Sequence, residues 1–222
     1  MPQDGTSSHP GPPVEVPDLG AQFTFYPDYD DLTQLETPEQ KVAWLDGRVR
    51  KALLRPLLRL QVLRNRGELV DINLIVVTAI CDGIEALSHF YRGGKGKGHF
   101  VEFCRRYMPT FRRRDRQGRS YASLLYDNFR SALSHGFCIE RGRLELGGSH
   151  GRIDPRYGLE IDPWELFREF ETGLTHYLED ARTDPELREN FEKRFNAIFR
   201  HWIRLAKRRA EEAKVLDGPG AP

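Results

Sequence analysis

A chain of 222 residues, 39% hydrophobic and 30% charged with a mean hydropathy of −0.60, holds enough apolar material for one core of ordinary size and too much for disorder throughout. No uncharged apolar run approaches the roughly 20 residues that span a bilayer, and the N-terminus lacks the basic and apolar regions of a signal peptide, so the expectation is a cytoplasmic protein without a membrane segment. The net charge of +1 conceals two opposed blocks: residues 1–46 hold one Lys against nine Asp and Glu, whereas residues 92–119 hold ten Lys and Arg against two acids, a balance that suits either mutual attraction or a phosphate backbone.

Five prolines among Gly, Ser and Asp mark residues 1–20 as a disordered tail, and residues 21–36 form an irregular acidic and aromatic segment available to the domain or to a protein partner. A single helical domain is expected over 37–216, with a second short disordered tail at 217–222. Thr37, Pro38 and Gln40 make a helix start with a capping box, followed by Val42, Leu45, Val49, Leu53, Leu57 and Leu60 at helical spacing. Pro56 inside that pattern predicts a kink or break near Leu54, and Gly67 ends it. Residues 69–91 are the most apolar stretch and predict a central buried helix facing inward through Ile72, Ile75 or Val76, Ala79 or Ile80, Ile84 and Leu87.

A Gly- and Lys-rich loop at 92–98 lacks the Ser or Thr and the preceding strand of a phosphate-binding P-loop and predicts a mobile basic connector. A short helix over 100–107 ends before Pro109. Five arginines then occur within residues 111–119, and Ser120 caps a helix whose buried stripe is Tyr121, Leu125, Phe129 and Ala132, widened by Leu124 and Leu133, and which stops at Gly136. Short extended pieces at 137–139, 144–146 and 157–161, with a turn at 140–142, predict a small antiparallel hairpin with a third strand, placed at about 137–161. Asp162 with Pro163, and Asp184 with Pro185, open two further amphipathic helices, the last facing inward through Leu187, Phe191, Phe195, Ile198 and Trp202 until Gly218 and Pro219. The fold class is therefore mainly α, a helical bundle with a small antiparallel β-hairpin insertion.

Three widely spaced cysteines, Cys81, Cys104 and Cys138, match neither a disulfide framework nor a zinc pattern and predict reduced core thiols. No nucleophile elbow, His-Glu-x-x-His or Cys/His cluster is present, and Glu85 with His89 is the ordinary acid and His pair of a helix surface, so no metal and no cofactor are expected. The candidate chemistry lies in Arg130 and His135, and the candidate nucleic-acid contacts are Arg112, Arg113, Arg114, Arg116, Arg119, Lys95 and Lys97.

The segment LYDNFRSALSHGF, carrying Arg130, Leu133, His135 and Gly136, resembles the signature of HEPN domains, helical bundles whose shared motif is an Arg, four to six residues and a His near the end of a helix. The longer pattern from the Phe and Cys helix through this motif also resembles a group of bacterial proteins that lends no chemistry. The HEPN resemblance implies a homodimer in which two copies of the motif meet around one cleft, and in catalytic members such a site cleaves RNA without metal. Ser131 follows the Arg where many nucleolytic members carry Asn, Asp or His. In that setting His135, with a reference pKa of about 6.5, exchanges protons with the 2′-hydroxyl or the leaving oxygen while Arg130 steadies the phosphate. Two readings follow: a metal-independent endoribonuclease, and a non-catalytic RNA-binding or protein-interaction helical module. In the plainer structural alternative, His135 satisfies helix-end carbonyls and Arg130 pairs with Asp82, Glu85 or Asp127.

Overall fold

The computed structural model describes residues 32–68, 72–94, 96–133 and 138–216, and the fold is mainly helical. Helix α1, Pro38–Val49, begins where the capping box requires: the Thr37 hydroxyl accepts from the Gln40 amide at 3.2 Å, and the Gln40 carboxamide accepts from the Thr37 amide at 3.0 Å. Leu32 and Leu35 ahead of it pack on the core, so the end of the acidic segment is docked; its aromatic residues lie outside the described part.

The expected break before Pro56 takes the form of a wide turn. Residues Arg50–Leu54 are π-helical, with the Arg55 amide bonding back to the Arg50 carbonyl, and the chain then continues as α2, Arg55–Asn65. A proline ring clashes with the carbonyl four residues earlier, and a turn holding one extra residue relieves that clash without ending the helix.

Helix α3, Asn73–Arg92, is the axis of the bundle and packs against α4, Lys97–Tyr107, and against α6, Pro163–Thr183, and α7, Pro185–Leu216. By length and composition α3 would suffice to cross a bilayer, yet Val76, Val77, Ile80, Cys81, Ile84 and Leu87 are buried in the protein's own core. Around its C-terminal end Tyr91, Phe103, Tyr107 and Tyr177 pack at 5.0 to 6.2 Å between ring centroids, mostly edge to face. Phe90, Phe191, Phe195 and Phe199, with Trp44 of α1, extend the aromatic packing along α7. Each such ring contributes about 1.5 to 3 kcal/mol by burial. Ile198 departs from the predicted stripe at 39% exposure, and Cys138 is an exposed thiol, whereas Cys81 and Cys104 are core residues.

A 3₁₀ turn, Pro109–Arg112, follows α4. Ser120 caps helix α5, Tyr121–Leu125, its hydroxyl accepting from the Ser123 amide at 3.1 Å. The helix passes without interruption into a second wide π segment, Tyr126–Ser131, and all six residues of the predicted stripe are buried. The predicted stop at Gly136 lies outside the described residues.

The small sheet differs from the expected hairpin. Strand β1, Gly142–Leu144, includes the glycine assigned to a turn, and it runs parallel to β3, Gly158–Ile161, with Gly142 opposite Leu159. The antiparallel partner is β2, Arg152–Asp154, giving the order β1-β3-β2. The tight turn between β2 and β3 is built by Asp154, whose carboxylate accepts from the Arg156 amide at 2.7 Å and the Tyr157 amide at 2.8 Å. Only four residues long at most, these strands have too few positions for alternation to reveal their pairing. Lys97 and Gly98, assigned to a loop, form the first turn of α4.

One polar junction fastens this sheet to the bundle. Glu169 of α6 accepts from the Thr110 amide at 2.5 Å and faces the His150 Nε2 at 3.2 Å, while the His150 Nδ1 accepts from the Asp162 amide at 3.3 Å. The imidazole proton is thereby placed on Nε2, donating to the carboxylate. Gly151 follows with φ +69, and a Cβ there would stand 2.2 Å from the Thr110 methyl carbon. His150→Ala leaves a part-buried carboxylate oxygen without its donor and is expected to destabilise the fold by about 1 to 3 kcal/mol in urea unfolding. Gly151→Ala, which combines a left-handed backbone with that collision, is expected to destabilise it by a comparable amount, about 1 to 3 kcal/mol, in the same assay.

Candidate nucleic-acid interface

The basic segment between the 3₁₀ turn and α5 is folded back on itself rather than extended. Arg114 and Ser120 form an isolated antiparallel bridge, the Tyr121 amide donates to the Arg113 carbonyl at 2.9 Å, and the turn between them is organised by Asp115. The Asp115 carboxylate accepts from the Gln117 and Arg119 amides, each at 2.9 Å, and from the Arg119 guanidinium at 2.7 Å. Burial pushes its carboxyl up, but these hydrogen bonds outweigh it and hold the group below the usual carboxylate range.

Two clefts flank this loop. The larger, about 670 Å³, lies between the loop and the β2–β3 turn, and its cationic lining is Arg114, Arg116 and Arg119 from one wall with Arg141 and Arg156 from the other. The smaller, about 480 Å³, shares Arg114 and Arg119 and adds Lys97, Arg105, Ser123 and Asn128. The two acids of the larger cleft do not neutralise it. Asp115 is engaged within its own loop, and Asp154 is held below the usual carboxylate range by the backbone amides of Tyr157 and Arg156. Among the described residues, Arg114, Arg116, Arg141 and Arg156 form no ion pair with a carboxylate.

The far wall is placed by backbone contacts. The buried Asn128 of the π segment donates through Nδ2 to the Arg141 carbonyl at 2.8 Å, and on the other side Gly158, with φ +92, brings its Cα so close that a Cβ would stand 2.7 Å from the same oxygen. Tyr157 is 42% exposed at the rim, with the Arg156 guanidinium 5.1 Å and that of Arg143 5.5 Å from its ring centroid.

The candidate contacts named from sequence therefore separate. Arg114, Arg116, Arg119 and Lys97 line the clefts, with Lys97 also paired to Asp127 at 2.6 Å. Arg112 instead donates to the Arg105 and Arg106 carbonyls, satisfying the end of α4, and Arg113 donates to the Gly151 carbonyl at 3.0 Å and lies over the Tyr121 ring. Lys95 lies outside the described residues. Arg141, Arg156 and Tyr157 were not among the candidates, although the Asp-Pro-Arg-Tyr-Gly turn sequence at 154–158 was the signal that places two of them.

Arg130 forms an ion pair with Glu85 of α3, one of the three partners considered for it, and its guanidinium carbon is 5.7 Å from the Tyr126 ring centroid. Its Nε is buried with no hydrogen-bond partner among the described residues, and it lines neither cleft. Burial pushes the neighbouring Asp82 carboxyl up, the Arg130 charge opposes this, and Glu85 adds to it. His135 lies outside the described residues. Burial also pushes the Cys81 and Cys104 thiols up, which suits packing rather than nucleophilic work, and among the described residues no cluster of three or more His, Cys, Asp or Glu has the arrangement of a metal site.

No family model, curated protein or solved structure matches this chain.

The Arg130 and Glu85 pair yields a direct expectation. Arg130→Met strands two carboxylates on α3 and should destabilise the fold by about 1 to 3 kcal/mol, and adding Glu85→Gln should recover a substantial part of that loss. A double-mutant cycle in urea measures the coupling, and strict additivity would exclude a structural role for the pair.

Proposed function

We propose that this protein is an RNA-binding helical module that holds the phosphate backbone in the arginine-lined clefts beside the 113–121 loop. The observation that carries this reading is the larger cleft, in which five arginines converge from two chain segments while both acids are engaged in building their own turns. Arginine presents a planar fork of donors that matches phosphate oxygens, and four of these five have no competing carboxylate among the described residues.

A second reading adds catalysis. The HEPN resemblance would make the protein a homodimer acting as a metal-independent endoribonuclease, with Arg130 and His135 of the two copies around one site. In its favour, Arg130 is held in a fixed position by Glu85, and the same π segment carries Asn128 into the smaller cleft.

The binding reading is tested by fluorescence anisotropy with labelled RNA over a salt series. The slope of log K against log salt should be steeply negative, and Arg114→Gln with Arg116→Gln should reduce its magnitude by roughly 1 to 2. Binding should also be nearly flat from about pH 8 to about pH 5. Arginine stays charged throughout, and the depressed folded pKa values of Asp115 and Asp154 mean that the turn stability they supply is complete above their unfolded pKa and is lost only when pH falls through the lower folded values. No RNA affinity at low salt would sink the proposal. For catalysis, RNA cleavage in EDTA should disappear in Arg130→Ala and His135→Ala; cleavage that survives in both folded variants removes that assignment.

A further inference from the structure

We infer that the two clefts form one continuous track for a single-stranded nucleic acid, crossing the 113–121 loop at Arg114 and Arg119, with an unstacked base received against Tyr157. This rests on the RNA-binding reading and specifies the state of the strand and the path it takes.

Continuity comes from the shared lining, because Arg114 and Arg119 belong to both clefts and the loop that carries them is the partition between the two. A ligand following this path meets cations on both sides of the partition, Arg116, Arg141 and Arg156 on one and Lys97 and Arg105 on the other. Spaced charges on either side of a narrow partition suit a flexible chain of phosphates, which bends over the loop, better than the stiff rod of a duplex.

The chemistry changes along the track. The smaller cleft offers the Ser123 hydroxyl, a group able to exchange hydrogen bonds with sugars or base edges. At the rim of the larger, Tyr157 is 42% exposed, with the Arg156 and Arg143 guanidinium groups 5.1 and 5.5 Å from its ring centroid. Bases in a duplex already stack on one another, whereas an unpaired base has a free face for an aromatic ring or a guanidinium plane. An exposed tyrosine held by its own turn, Asp154 fixing the Tyr157 amide, is already in place for that contact.

The test compares single-stranded RNA, single-stranded DNA and duplex RNA, each about 12 nucleotides long, against the full chain by anisotropy. The variants are Tyr157→Ala, Arg141→Gln with Arg156→Gln, and Arg59→Gln as a control for charge at an exposed position on α2. Single strands should bind at least about ten-fold more tightly than the duplex, and Tyr157→Ala should weaken single-strand binding about ten-fold with the salt slope unchanged. The double arginine variant should instead reduce the magnitude of that slope by roughly 1, and the control should resemble the original protein. Equal affinity for RNA and DNA strands supports the track as built from phosphate and stacking contacts; preference for RNA supports the same track with the 2′-hydroxyl contributing. Duplex binding as tight as single-strand binding, or Tyr157→Ala within about two-fold of the original while Arg114→Gln still weakens binding, overturns the inference and leaves the RNA-binding reading standing. Absence of binding to every probe overturns both. Thermal unfolding of each variant verifies that the exposed substitutions leave the fold intact.

Discussion

The carboxylate of Glu169 is the point on which the geometry of the basic face depends. One oxygen holds the start of the 3₁₀ turn through Thr110, and the other faces His150, which in turn receives the amide of the residue that caps α6. Three chain segments separated in sequence are thus referred to one part-buried group. Both of its oxygens have hydrogen-bond donors, so the junction has direction as well as strength. Arg113 extends it by donating to Gly151, and the turn carrying Arg114, Arg116 and Arg119 starts from that fixed position.

Arginines repel one another, and bringing five of them to one cleft requires that the backbone be held by something other than their own charges. The chain does this with carboxylates that face inward into turns. Asp115 and Asp154 each accept two backbone amides, so their negative charge lowers the local potential without closing the cleft with ion pairs to all of its cations. Among the described residues only Arg119 of these five is drawn into such a pair. The result is a surface whose turns are ordered before any ligand arrives, which reduces the conformational entropy lost on binding.

The helices were legible in the sequence because their signals are local. Thr37 with Gln40, Ser120, Asp162 and Asp184 announced helix starts that the structure bears out, and the apolar stripes identified most of the core. The sheet was not legible to the same degree. A parallel pair between Gly142 and Leu159 joins residues separated by a long connection, and strands of three and four residues carry no periodicity to reveal it. The cleft was half legible: the run of arginines at 112–119 was visible, whereas Arg141 and Arg156 become neighbours of that run only through the β2–β3 turn and the Asn128 bond. Arg130 illustrates a different limit. Nine residues of ideal α-helix from Tyr121 would turn it about 180° from that residue, but the chain winds more widely from Tyr126 on, and Arg130 pairs with Glu85 of α3.

That widening makes the segment tolerant in length. A π turn accommodates one residue more than an α turn within an unbroken helix, as residues 126–131 do here. Loss of a single residue there would restore the tighter winding and leave Ala132 and Leu133 facing the core they now fill, whereas the same loss from a regular α-helix would rotate everything downstream by about 100°. The widened turn therefore works as a phase buffer: it takes up a residue of length while the side chains after it keep the face they present to the rest of the protein.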